Sequence, residues 1–168
     1  MQNFNELYKQ HYSSVYALTS KLLNNSDDAA DIVQEVFIKL HQEITNNNII
    51  LYPKTWLYRV SVNKVVNHWN RKKEHVSLEH NDAIQKTSDS YFNDNIDSNT
   101  KKAIFDVALN KLKPTEKTII LLYSEGLSYK EIAEIGEVPF NSVGKLISRT
   151  LEKLKLILQN KKDELLDE

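Results

Sequence analysis

Apolar residues recur along this chain at steps of three and four, the period that lays one stripe along a helix face. Phe4, Leu7, Tyr8, Tyr12, Val15, Leu18 and Leu22 form the first stripe, closed by Asn24-Asn25. Ser26 or Asp27 is placed to cap a second helix, whose stripe is Ile32, Val33, Val36, Phe37 and Leu40. Thr45-Asn46-Asn47-Asn48 reads as a loop, followed by Ile49-Ile50-Leu51-Tyr52. Pro53 suits the first turn of a third helix, where its missing N–H would be unpaired anyway. That helix is predicted to run to about Lys73.

Residues 76–100 lose the period and are rich in Ser, Asn and Asp, a stretch too long for most connections inside one compact domain. Beyond it, Ile104, Val107, Ala108 and Leu112 mark a fourth helix. Pro114-Thr115 starts a fifth, with Ile119 and Leu122 inward and Gly126 at its end. Ser128-Tyr129-Lys130-Glu131 has the S-x-x-E form of a capping box and opens a short sixth helix containing Ile132, Ala133 and Ile135. Gly136 stops it, and Pro139-Phe140-Asn141 leads into a seventh helix with Val143, Ile147, Leu151, Leu154 and Leu158 on one stripe. The expected fold is all-α: two small helical domains, 1–75 and 102–168, joined by a flexible linker at 76–101, with a helix-turn-helix in the second.

Composition narrows the function. Only three Gly and three Pro occur in 168 residues, against a turn-rich sandwich or barrel. The absence of Cys removes disulfides, thiolate zinc sites and Cys nucleophiles together. No apolar run approaches the roughly 18 residues of a membrane span, and the N-terminus lacks a signal-peptide core. A soluble, cytoplasmic protein without membrane insertion is expected. The five His show no H-E-x-x-H spacing, and His75, Glu79, His80 and Asp82 lie in the polar linker with no scaffold to fix them. There is no G-x-S-x-G and no phosphate-cradling glycine loop. No enzyme activity, cofactor or metal site is expected.

The net charge is −1, which taken whole counts against a generic nucleic-acid coat. By segment it is −3 over 1–53, +5 over 54–75, −4 over 76–100, +5 over 101–162 and −4 over the last six residues. Two basic blocks are therefore hidden in a neutral total. The second holds the strongest local signal, residues 127–151: a capped short helix, a turn with Gly, then a basic helix. In a helix-turn-helix the second helix enters the major groove and presents side chains near its N-terminus. Ser142, Lys145 and Arg149 lie opposite the apolar stripe, Arg149 suited to a guanine edge or phosphate and Lys145 to a phosphate. The bland alternative is a helical hairpin with a solvated basic face.

The first basic block, residues 53–73, carries an apolar stripe of Tyr58, Val62, Val65 and Trp69. Arg59, Asn63, Asn67 and Asn70 form a polar stripe beside it, with Lys64, His68, Arg71 and Lys72 on the basic edge. Basic side chains can track a backbone, and exposed aromatics can stack on unpaired bases. Trp56 and Trp69 read individually as core anchors. On the second helix, Asp28, Asp31, Gln34 and Glu35 form an acidic face that could dock a basic partner or simply be solvated.

In this order the segments resemble a family. DDAADIVQEVFIKL and PKTWLYRVSVNKVVNHWNRKK look like consecutive conserved segments of bacterial sigma factors, and LKPTEKTIILLYSEGLSYKEIAEI looks like the start of their fourth region. The short chain and bare linker are similar to the extracytoplasmic-function (ECF) group. The resemblance implies core RNA polymerase and promoter DNA as partners, through the β′ clamp helices and the β flap. It implies an anti-sigma factor as a further partner, and a place on the nucleoid when in holoenzyme. Asp28, Asp31, Gln34 and Glu35 match the polymerase-docking segment. Lys54, Trp56, Arg59, Asn63, Asn67 and Arg71 match the helix that melts and holds the −10 element. The loop with Asn46, Asn47, Asn48 and Tyr52 matches the one that captures a flipped base. Asn141, Ser142, Lys145, Ser148 and Arg149 match the −35 reading helix, although Gly144 and Leu146 stand at usual basic positions. The rival reading is a free-standing helix-turn-helix regulator with a ligand-sensing or dimerising N-terminal domain.

Overall fold

Seven helices account for every regular element among the described residues of the computed structural model, 3–78 and 98–166. They are α1 (Phe4–Leu23), α2 (Ser26–Thr45), α3 (Pro53–Leu78), α4 (Ser98–Asn110), α5 (Pro114–Ser124), α6 (Tyr129–Ile135) and α7 (Phe140–Leu166). Helix α3 continues five residues past Lys73, because nothing in His75–Leu78 stops it. Both ends of the expected linker are thus helical, while residues 79–97 and most of the His75–Asp82 cluster lie outside the described residues.

The two asparagines after α1 do different work. Asn24 takes the left-handed conformation, φ 53°, and its N–H donates to the Ser20 carbonyl at 2.8 Å. Asn25, not Ser26 or Asp27, is the N-cap of α2: its side-chain oxygen accepts from the Asp27 and Asp28 N–H groups, each at 3.0 Å. One residue closes a helix and the next opens another, so α1 folds back on α2 with almost no loop.

Helices α1, α2 and α3 pack around Val15, Leu18, Leu22, Val33, Val36, Leu40, Leu57 and Val65. Helices α4 to α7 pack around Leu109, Ile119, Leu122, Ile132, Val143 and Ile147. On α7 the buried positions are Val143, Ile147, Thr150 and Leu154, whereas Leu151 is 46% exposed. The expected stripe therefore slips by one residue in its third turn, because a period of 3.6 takes 150 rather than 151 to the inner face.

Helix α5 departs furthest from expectation. Six consecutive residues, Lys117 to Leu122, are buried. Six residues cover more than a full turn, so the middle of this helix is enclosed while both its ends stay exposed. Helices α6 and α7 cover one flank and α1 covers another, so the two helical groups pack against each other. At that seam Lys117 Nζ donates to the Asn110 side-chain oxygen at 2.7 Å and reaches the Leu22 carbonyl at 3.5 Å.

Candidate nucleic-acid interface

Helix α6 is built as its sequence suggests. The Ser128 Oγ accepts from the Glu131 N–H, and Glu131 Oε2 accepts in return from the Ser128 N–H and hydroxyl, both at 2.8 Å. This closes the reciprocal box that satisfies orphan donors at a helix start. Gly136 ends α6 for a steric reason. Its φ is −82°, but a Cβ there would lie 2.9 Å from the Ile132 carbonyl oxygen. The left-handed turn residue is its neighbour Glu137, φ 52°.

Helix α7 then presents Asn141, Lys145, Ser148 and Arg149 to solvent, with Ser142 half-buried. Phe140, 63% exposed at the first position of the same helix, joins them as an apolar surface that the periodic pattern did not flag. Gly144 faces the Tyr129 ring of α6.

On α3 the residues separate by depth. Leu57, Tyr58, Val62 and Val65 are buried, and Trp56 and Trp69 are half-buried against the core. Asn63, Asn67, Asn70 and Arg71 are exposed, and Arg59 and Lys54 are partly so. The three Asn and Trp69 line a groove of about 1220 Å³ whose opposite wall is Pro114, Thr115 and Thr118 of α5 and Glu137 after α6.

The loop before α3 is organised differently from expectation. Asn46, Asn47 and Asn48 finish α2 by donating backbone N–H bonds to Gln42, Ile44 and Glu43 carbonyls, and the Asn48 amide donates to Glu43 Oε2 at 2.6 Å. The groups displayed are Ile49, Leu51 and Tyr52, each more than 70% exposed, while Ile50 is buried. The run Ile-Ile-Leu-Tyr, apolar but outside any helical stripe, was the signal for that display.

The acidic face of α2 divides. Asp31, Gln34 and Glu35 are exposed, while Asp28 is half-buried beneath α3. Asp28 accepts from Lys72 Nζ at 2.8 Å and lies 3.1 Å from His68 Nε2, without hydrogen-bond alignment to it. The Lys72 bond above all holds the Asp28 carboxyl below the usual carboxylate range. Glu35 pairs with Lys64.

The N-terminal half of α3 meets α6 and the turn before it. Lys54 Nζ donates to the Glu125 carbonyl at 2.6 Å, and Tyr58 OH donates to Glu125 Oε2 at 2.7 Å. Thr55 Oγ1 donates to Glu131 Oε1, and Arg59 Nη2 pairs with Glu134 Oε1 at 2.7 Å. Burial and then the Glu125 bond push the Tyr58 phenol far above its ordinary range. The Thr55 bond and then the Ser128 bonds hold Glu131 below its own. Sequence patterning did not pair these residues, because they lie some seventy positions apart.

Known proteins place this geometry. Sigma-70 region 2 matches residues 7–75 and Sigma-70 region 4 matches residues 102–154. The ECF RNA polymerase sigma-E factor of Haemophilus influenzae is 29% identical, covering 93% of this chain and 87% of its own length. The ECF RNA polymerase sigma factor SigW of Bacillus subtilis is also 29% identical, over 92% and 87%. In fold, the chain is similar to the sigma factor RpoE of Bartonella quintana in its complex with the anti-sigma factor NepR, with TM-score 0.80, 20% identity, and 95% and 98% of the two chains covered. A region 2 match followed by a region 4 match, with relatives of the same kind over most of the chain, makes this a promoter-directing subunit of RNA polymerase. The chain belongs to the sigma-70 family, in its ECF group. The rival reading of a free-standing regulator loses its ground, since the N-terminal unit matches sigma region 2 rather than a sensing or dimerising domain.

Proposed function

We propose that this chain binds core RNA polymerase through Asp31, Gln34 and Glu35 of α2, and reads promoters with two separate surfaces. Residues 1–75 form the polymerase- and −10-binding domain, 76–101 the linker and 102–168 the −35-binding domain. Asn63, Asn67, Asn70 and Arg71 track the melted −10 strand, with Arg59 and Lys54 at the start of the same helix. Ile49, Leu51 and Tyr52 supply the apolar pocket wall for an extruded base, a role that exposed aromatic and aliphatic groups suit. Asn141, Ser142, Lys145, Ser148 and Arg149 enter the major groove of the −35 element. Asp28 serves by anchoring α2 to α3 rather than by touching polymerase.

The carrying observation is the exposed polar face of α7 behind a fully formed capping box, together with an Asn-rich face on α3 in the same chain. The activity is non-enzymatic: the subunit recruits and orients, and the polymerase does the chemistry. The protein works in the bacterial cytoplasm, on the nucleoid when in holoenzyme, and is held in check by an anti-sigma factor. The test is run-off transcription with added core polymerase. Promoter-dependent transcripts are expected, and binding to core no tighter than that of a scrambled chain refutes the reading.

A further inference from the structure

Phe140 is the first residue of α7. The second helix of a helix-turn-helix turns its N-terminal residues to base edges in the major groove. The Phe140 ring is 63% exposed there, while the other exposed residues in the first three turns are polar or charged: Asn141, Lys145, Ser148 and Arg149. A single exposed apolar group is ordinary on a protein surface, so it is the place of this one that singles it out. The ring borders an open notch of about 560 Å³, lined also by Lys130, Ala133 and Glu134 of α6 and by Val138 of the turn. Ala133 and Val138 rest on the core behind it. Gly144, four residues on and so on the same flank of α7, brings no side chain to the groove. Phe140 therefore has no hydrogen-bonding neighbour along that flank to share the reading of a base.

Chemistry then selects the base. A phenyl ring makes no hydrogen bond with a base edge. Pressed on the donors and acceptors of guanine, adenine or cytosine, it strips their water and returns nothing, which costs free energy. The one apolar group that a base pair displays in the major groove is the 5-methyl of thymine. Lys145 and Arg149, exposed on the same helix, make an anionic duplex the surface that this end of α7 meets.

We propose that Phe140 is a specificity-determining residue of this chain: its ring packs on the 5-methyl group of one thymine in the −35 element and so selects a T·A pair at the tip of α7. Asn141, Lys145 and Arg149 supply polar contacts and hold the helix in the groove, and Phe140 supplies an apolar one that only thymine can answer. The inference rests on the assignment of α7 to the −35 element and names one base that this surface selects.

The experiment removes the methyl group alone. Holoenzyme made from core polymerase and the full chain is titrated on a promoter that it transcribes, with each −35 thymine of either strand replaced in turn by deoxyuridine. Every hydrogen bond of the base pair stays. At one position the wild type should lose about fourfold in affinity, the worth of one buried methyl group. Phe140→Ala should bind the thymine and deoxyuridine templates of that position alike. Phe140→Leu keeps an apolar side chain and should keep a preference for thymine, and equal urea midpoints for the three chains exclude misfolding. An element without thymine, or one insensitive to deoxyuridine at every position, overturns the proposal. So does Phe140→Ala binding that is weaker on both templates by the same factor, since the ring would then contact protein rather than the methyl group. A scrambled −35 element separates the proposal from its basis. If scrambling leaves wild-type affinity unchanged, the −35 assignment of α7 fails as well, whereas a loss on scrambling with no response to deoxyuridine removes the role of Phe140 alone.

Discussion

Asp28 on the first turns of α2 and Lys72 near the far end of α3 share a 2.8 Å hydrogen bond. The bond couples the acidic face of α2 to the basic, Asn-rich face of α3. It also divides the acidic face by role. Among the described residues, Asp31 and Gln34 have no side-chain partner, Glu35 has Lys64, and Asp28 has Lys72 with His68 close by.

Asp31→Arg is therefore the clean test of docking. It reverses a charge without breaking any internal pair, and should weaken core polymerase binding at least about tenfold, near 1.4 kcal/mol. Helicity by circular dichroism should not change. Titration of labelled chain with core polymerase checks this, and undiminished affinity would remove α2 from the interface.

Arg149→Ala should cost about 1–3 kcal/mol at promoters that depend on the −35 element, the range for one good base contact. Promoters that rely on the −10 element should lose less. Competitive run-off on the two classes measures the ratio, and an equal loss on both contradicts the placement of α7.

The two glycines of the helix-turn-helix should respond in opposite directions. At Gly144 a Cβ would meet the Tyr129 ring at 3.4 Å, an ordinary contact. Gly144→Ala should stabilise the chain by about 0.5–1 kcal/mol, the helix-interior penalty of glycine. Gly136→Ala drives a methyl to 2.9 Å from a backbone oxygen and should destabilise it. Urea midpoints of the two variants give the signs.

Lys117 predicts a pH effect. Burial lowers its pKa from 10.5 to about 8, partly opposed by Asp106. Between these two values the unfolded chain binds the proton and the folded chain does not, so this residue makes stability rise with pH from about 8 to 10.5. Below 8 its charge is buried in full and the contribution is flat. The wild type should gain melting temperature relative to Lys117→Met across that window. Parallel profiles for the two proteins would show that Lys117 does not titrate there.

Local features were readable from residue order. Pro53, the Ser128–Glu131 box and the stop at Asn24 each act within a turn of their own position, so sequence neighbours were sufficient. The expected cap of α2 fell one or two residues late, since the adjacent Asn25, Ser26 and Asp27 all suit a cap and Asn25 takes it. The stripes of α1, α2 and α3 were legible for the same reason. The Thr150-for-Leu151 exchange on α7 was not, since a polar residue buried by phase alone leaves no mark in an apolar pattern. Segment charge also misled: Glu125, Glu131, Glu134 and Glu137 lie inside the block that sums to +5, and only the fold gathers three of them against α3.

The sequence alone determined the helices, the Ser128 capping box, the helix-turn-helix and the two basic blocks, because period, local capping and segment charge are local properties of the chain. Which of those blocks is open was decided only by tertiary structure. The seam of Lys54, Thr55, Tyr58 and Arg59 with Glu125, Glu131 and Glu134 joins residues about seventy positions apart. The enclosure of α5 between α1 and α7 likewise joins residues far apart in the chain, as the reach of Lys117 to the Leu22 carbonyl shows. Neither follows from any local period, because both depend on how one finished helical unit docks on the other.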